Sequence, residues 1–224
     1  MEPTEPACRI RPMHAGDIKQ VMEIERESFA SMWSRTTYDR ELTNKLARYL
    51  VAFEPPAGDA LPPPKTGTVS TLWATLRRIA TRSSPPGEHI LGLVGLWCMM
   101  GEGHIVTIAV RQTQRRRGIG ELLLVTILEA ALEAGQDGVT LEYRISNSDA
   151  RALYDKYGFT QVGVRARYYS DNQEDAVLMS TPPLRSSVYQ RLIALRVDEQ
   201  RSRWGEAYPL NGGLTRLTSP LTGS

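Results

Sequence analysis

Ile108-Ala-Val-Arg-Gln-Thr-Gln-Arg-Arg-Arg-Gly-Ile-Gly120 is the stretch on which the reading of this 224-residue chain turns. Ile108, Ala109 and Val110 close an apolar run that begins at His104 and reads as a strand. Beyond the turn, Ile119, Leu122, Leu123, Ile127, Ala130 and Ala134 recur at helical spacing and predict a long helix over 119–134. Gly118 and Gly120 therefore sit where a helix begins. A helix start presents unpaired N–H groups and a partial positive charge, and glycine lets a ligand approach the backbone closely, so the turn predicts an anion site. Other glycine motifs do not fit. The dinucleotide fingerprint needs a third glycine where Leu123 stands, and no Gly-Lys-Ser/Thr triplet or kinase-type partners are present. Two glycines alone fit a helix C-cap or an ordinary tight turn better than an anion site, so the flanking sequence has to decide.

Working outward, 9–13 reads as a short strand, 14–29 as a helix, 34–44 as a second helix with Ser34 as its N-cap, and 48–53 as a strand. Seven prolines punctuate 54–89, and within it Val69, Leu72, Trp73, Leu76 and Ile79 hold helical spacing. The segment reads as a Pro-rich helical insertion between the second and third strands. Strands follow at 90–100 and 104–111, then the long helix, a strand at 138–144, and a short helix over 148–157 closed by Gly158. Strands at 160–169 and 174–180 complete the series. The order predicts an α/β fold with a mixed central sheet of about seven strands flanked by helices. A domain over 9–181 is followed by a 182–224 extension. That extension is helical where Leu184, Val188, Leu192 and Leu195 recur, and flexible from about Arg203 onward.

Composition narrows the function. A net charge of +2 gives no reason to expect direct nucleic-acid binding, and local basic clusters such as Arg115, Arg116 and Arg117 must carry any electrostatic role. Cys8 and Cys98 form no CxxC pair, and His14, His89 and His104 are scattered, so neither a disulfide framework nor a metal site is expected. No apolar run reaches about 18 residues and the N-terminus lacks signal-peptide character, which makes no membrane contact and a cytoplasmic location the expectation.

The flanking sequence carries a resemblance. Arg115-x-x-Gly118-x-Gly120 after an apolar strand resembles the pyrophosphate-binding signature of the GNAT superfamily of acetyltransferases. The run Leu141-Glu-Tyr-Arg-Ile-Ser-Asn-Ser-Asp-Ala-Arg-Ala-Leu-Tyr-Asp-Lys-Tyr-Gly-Phe159 is similar to the pattern of its RimI group, with Tyr143 in place of a small apolar residue. Ile24-Glu-Arg-Glu-Ser-Phe-Ala-Ser-Met-Trp-Ser34 and the Arg165–Met179 segment, with Tyr168-Tyr169 and Glu174-Asp-Ala176, resemble the same group, apart from Met32 where the group has proline. The likeness spans about 9–53 and 90–181.

The resemblance implies a GNAT fold and an enzyme that transfers acetyl from acetyl-CoA, as cosubstrate and without a metal, to the N-terminus of a protein. The acceptor implied is the N-terminal alanine of a small-subunit ribosomal protein. It implies that the backbone of Ile108, Ala109 and Val110 pairs with the pantetheine arm. Arg115, Arg116, Arg117, Gly118, Ile119, Gly120 and Glu121 would cradle the pyrophosphate, with Asn147 also touching the cofactor. Glu142 is implied as general base and Tyr154 as general acid, with Tyr157 the alternative donor. Phe29, Trp33, Tyr168 and Tyr169 are candidates to line a peptide slot, although Phe29 also fits a core position. Read on chemistry alone, amine acetylation needs a neutral amine and a proton for the departing thiolate, roles a carboxylate and a tyrosine suit. No convincing Cys/His or Ser/His pair suggests a covalent intermediate. Broader N-terminal peptide specificity and a non-catalytic acetyl-CoA-binding module remain as alternatives, and the oligomeric state is open.

Overall fold

A computed structural model describes residues 8–29, 38–54 and 88–204. Trp33, the Ser34 cap, the insertion helix and the chain beyond 204 lie outside the described residues. The elements are β1 (Arg9–Pro12), a 3-10 turn at Ala15–Asp17, α1 (Ile18–Ser28), α2 (Tyr38–Thr43), β2 (Ala47–Glu54), β3 (His89–Met99) and β4 (Glu102–Val110). A second 3-10 turn, Gln112–Gln114, leads to α3 (Ile119–Glu133), β5 (Gly138–Arg144), α4 (Ser148–Lys156), β6 (Thr160–Tyr169), β7 (Glu174–Ser180) and α5 (Ser187–Trp204). The strands form one seven-stranded sheet in the order β1-β2-β3-β4-β5-β7-β6. Every pairing is antiparallel except that of β4 with β5. A parallel pair needs a crossover connection, and α3 supplies it.

Both sheet faces are covered, which explains why 48–53 and 90–98 carry so few polar residues. Leu50 and Ala52 point into one core with α3. Tyr49, Val51 and Phe53 point into the other, where Val21 and Ile24 of α1 meet them. The alternation of β2 thus serves two cores. Tyr38 of α2 donates to Glu25 Oε1 at 2.6 Å, which ties the short second helix to α1. Cys8 and Cys98 are both buried and free.

Two helices differ from the sequence reading in which side they bury. The spacing in α3 predicted one apolar face, yet every residue from Leu122 to Leu132 is buried, because the sheet covers one side and α5 packs on the helix as well. In the C-terminal helix the aliphatic spacing pointed to Val188 and Leu195, which are 69% and 63% exposed. The buried stripe is Tyr189, Ile193, Val197, Gln200 and Trp204. These residues join Leu184 against α3 in the first core, and Tyr189 donates its hydroxyl to Tyr157 O at 3.2 Å. Tyr189, Gln200 and Trp204 share this stripe with Ile193 and Val197, so spacing judged from the leucines and Val188 alone misplaces it.

Candidate active site

The site opens where two strands part. β4 and β5 pair only from Glu102–Gly138 to Ile105–Leu141. Beyond that point β4 continues with β3 and β5 continues with β7. The register of β3 against β4 steps from Gly95–Thr107 to Leu96–Ile105, so Val106 is an extra residue that bends β4 at the mouth of the split. The wedge between the strands is a cavity of about 620 Å³. Along it, the β5-facing edge of Ile108–Val110 has no strand partner among the described residues, although Val110 O accepts from Arg115 Nε at 3.2 Å. A strand edge without a partner offers an extended ligand a ladder of main-chain donors and acceptors. Thr107 also lines the wedge, and its buried hydroxyl has no hydrogen-bond partner among the described residues.

At one end of the wedge stands the glycine turn. Gly118 is the N-cap of α3 with φ +83° and no side-chain cap, and Arg116 also has positive φ at +64°. Backbone turning of this kind gathers successive N–H groups into an anion-binding concavity, and the first N–H groups of α3 add to it. Glu121 does not turn its carboxylate toward the turn. It accepts from Lys156 Nζ at 2.6 Å, Gln200 Nε2 at 2.7 Å and Tyr157 Oη at 3.3 Å. Only its backbone is left to face a ligand at the turn. The three arginines separate. Arg115 and Arg116 line the cavity, Arg115 held by Ser28 Oγ at 3.2 Å and Arg116 paired with Asp149 at 2.7 Å. Arg117 does not line it, and its guanidinium donates to Gln114 instead.

At the other end lie the two candidate reacting groups. Glu142 projects from β5 with its side chain 8% exposed, between His104 Nε2 at 3.0 Å and Arg165 Nη1 at 2.9 Å. His104 is in turn held through Nδ1 by Thr140 Oγ1 at 3.0 Å. The hydrogen bond from His104, aided by the charge of Arg165 and opposed by burial, holds the Glu142 carboxyl below its usual range. Tyr154, from α4, lines the same cavity. Its ring packs 5.7 Å from both Tyr143 and Phe159, and burial pushes its phenol well above the ordinary value. Tyr157 is turned to the other side, into the Glu121 cluster, and does not line the cavity.

Phe29 and Tyr169 line the cavity, whereas Tyr168 does not and is instead stacked edge-on against Tyr169 at 5.3 Å. Tyr169 is fixed by Arg144, whose guanidinium lies 3.8 Å from the ring centroid and reaches both carboxylate oxygens of Asp171 at 3.0 Å. Burial pushes the Tyr169 phenol up to about 12. The sequence reading gave His104, Arg144 and Arg165 no role, although Arg144 and Arg165 stand in the quoted motifs. Only the register of three strands brings them to Glu142 and Tyr169, and no local spacing encodes that.

Asn147 lines the cavity and also caps α4, its Oδ1 accepting from Ala150 N at 3.0 Å. The cap predicts that Asn147→Ala lowers stability by about 1 kcal/mol, or roughly 3 °C in Tm. Asn147→Asp, which keeps the acceptor, should melt like the wild type. Thermal unfolding of the two variants checks this, and equal losses in both would remove the capping role. Among the described residues no group of three His, Cys, Asp or Glu side chains could hold a metal, and no helix is long and apolar enough to cross a membrane.

Comparison with known proteins gives this arrangement its context. Residues 76–161 match the profile of the acetyltransferase (GNAT) domain. A putative [ribosomal protein bS18]-alanine N-acetyltransferase of Bacillus subtilis is 32% identical over 171 residues, 76% of this chain and 92% of that protein. An N-alpha-acetyltransferase of Sulfurisphaera tokodaii is 46% identical over 85 residues, 38% of this chain and 50% of that protein. The crystal structure of the ribosomal-protein-S18-alanine N-acetyltransferase from Escherichia coli superposes with a TM-score of 0.58 at 21% identity, covering 79% of this chain and 94% of that one.

Proposed function

Since the chain belongs to the GNAT acetyltransferase family and is an N-acetyltransferase, we propose that it transfers acetyl from acetyl-CoA to the α-amino group of a protein, in the first place an N-terminal alanine of a small-subunit ribosomal protein. One observation carries this reading. A single wedge joins the glycine turn at Gly118 to a carboxylate and a phenol at Glu142 and Tyr154.

In the proposed reaction the unpaired edge of Ile108–Val110 holds the pantetheine arm extended, and the N–H groups around Gly118–Gly120 hold the diphosphate. The neutral amine attacks the thioester carbonyl, a C–N bond forms and the C–S bond breaks. The proton lost by the amine passes toward Glu142, directly or through water, and the thiolate takes the Tyr154 proton. Solvent then restores both groups. Tyr169, held by Arg144, and Phe29 flank the acceptor end. A bacterial-type alanine acceptor is favoured by the long match to the Bacillus protein. A wider choice of N-terminal residues is the second reading, favoured by the higher local identity to the archaeal N-alpha-acetyltransferase. A panel of peptides varied in their first three residues, read by mass spectrometry with acetyl-CoA present, tests both. Acetylation confined to lysine side chains would remove both.

The Glu142 geometry makes a pH prediction. A carboxylate held below its usual range stays ionised throughout neutral pH, so it contributes no inflection there. The acid limb of kcat/KM should therefore follow the substrate amine, at about 7.7–8.0, with activity rising to a plateau above it. Because so weak a base has little proton-transfer driving force, Glu142→Gln should lower the plateau by only about tenfold and leave the limb in place. A wild-type limb near pH 5 that vanishes in Glu142→Gln would mean that Glu142 itself titrates during catalysis.

A further inference from the structure

We propose that Arg203, in the last turn of α5, is a phosphate ligand of acetyl-CoA, so that the segment following the last strand completes the cofactor site. The proposal rests on the acetyl-CoA reading above. It concerns a residue outside the matched domain segment 76–161.

Position comes first. Arg203 lines the same wedge as the glycine turn. A Cβ placed on Gly118 would stand 2.9 Å from Arg203 Cζ and 3.0 Å from its Nη1, so the guanidinium lies directly over the turn. The placement is built rather than accidental. Trp204 is buried and donates from Nε1 to Gln200 Oε1 at 3.1 Å, and Gln200, itself 2% exposed, donates to Glu121 Oε2 at 2.7 Å. Glu121 belongs to the first turn of α3, so the end of α5 is bolted to the start of the helix whose N-terminus forms the anion site.

Charge makes the second case. Arg116, Arg144, Arg165 and Arg196 each have a carboxylate within 4 Å, whereas Arg203, like Arg115 and Arg117 of the turn it faces, has none among the described residues. Its guanidinium carbon lies 6.0 Å from the centroid of the Trp204 ring. A cation set against a helix N-terminus meets charge of its own sign, with Arg115 and Arg116 close by. An anion between them turns that repulsion into attraction from both sides. Acetyl-CoA carries two such anions, the diphosphate and the ribose 3′-phosphate, and a guanidinium binds either through paired N–H groups.

Calorimetry of the full chain with CoA and with 3′-dephospho-CoA tests the assignment. Arg203→Ala should weaken CoA by about tenfold, and Arg203→Lys by less. Arg191→Ala, which removes the same charge from an exposed position of α5, should leave binding unchanged. Loss of affinity for both ligands assigns Arg203 to the diphosphate, and loss for CoA alone assigns it to the 3′-phosphate. If Arg203→Ala binds CoA within twofold of the wild type, or if Arg191→Ala costs as much, the assignment fails while the acetyl-CoA reading stands. A wild-type protein that takes up no CoA overturns both.

Discussion

Tyr154→Phe is expected to lower kcat by about 100-fold while leaving the Kd of CoA within about twofold of the wild type. The removed oxygen is the only change, and the ring keeps its packing against Tyr143 and Phe159 at 5.7 Å. Fold and cofactor site should therefore survive. Burial raises the Tyr154 phenol well above the pH at which the enzyme works, so the proton is present throughout. It is given up only as negative charge develops on the leaving sulfur, which is when a donor lowers a barrier rather than a ground state. Tyr157 supplies the control. Its hydroxyl already faces Glu121 at 3.3 Å, away from the wedge, so Tyr157→Phe should turn over within a few-fold of the wild type. Steady-state kinetics with an alanine-starting peptide and calorimetry with CoA separate the outcomes. Wild-type turnover in Tyr154→Phe, or an equal fall in Tyr157→Phe, would remove Tyr154 from the reaction.

That contrast between two tyrosines three residues apart shows what the sequence can and cannot say. The order of strands and helices is legible because apolar patterning and glycine placement are local, and all seven strands begin and end within two residues of the predicted spans. The glycine turn is legible for the same reason. The surroundings of Glu142 are not. His104, Arg165 and Glu142 lie on three strands, and only the parallel pairing of β4 with β5 and the insertion of β7 between β5 and β6 bring them together. The partners of Glu142 decide its charge state, so the sequence could name the carboxylate without knowing how weak a base it is. The buried side of α5 failed differently. Val188 and Leu195 looked like the apolar stripe, but Tyr189, Gln200 and Trp204 are buried in their place beside Ile193 and Val197, with their polar atoms satisfied against one another and Tyr157. Counting aliphatic residues misses a stripe whose polar tips are paired.

The second large effect is expected at Gly118, where Gly118→Ala should raise the Kd of CoA by about 30-fold or more. The backbone there has φ +83°, a conformation that costs an L-residue roughly 1–2 kcal/mol. The chain can relieve that strain by rotating the turn, which moves the first N–H groups of α3 out of line with the diphosphate. Losing even one hydrogen bond to a charged group is worth about 1.5–3 kcal/mol, so strain and misalignment together reach the stated loss. The new methyl would also stand 2.9 Å from Arg203 Cζ. An arginine tip can swing aside, so this contact adds little strain, but it displaces a cation from over the turn. Gly120 is the discriminating comparison. A Cβ there meets nothing nearer than Val110 Cγ2 at 3.8 Å, and Gly120 has no positive φ. Alanine at 120 is therefore accommodated by the protein itself, and any loss of CoA from Gly120→Ala reports the space that the ligand occupies. Calorimetry on both variants, with thermal unfolding to separate strain from contact, reads the two effects apart. Wild-type CoA affinity in Gly118→Ala would mean that the turn does not hold the diphosphate, and the wedge would then need another anchor for its thioester.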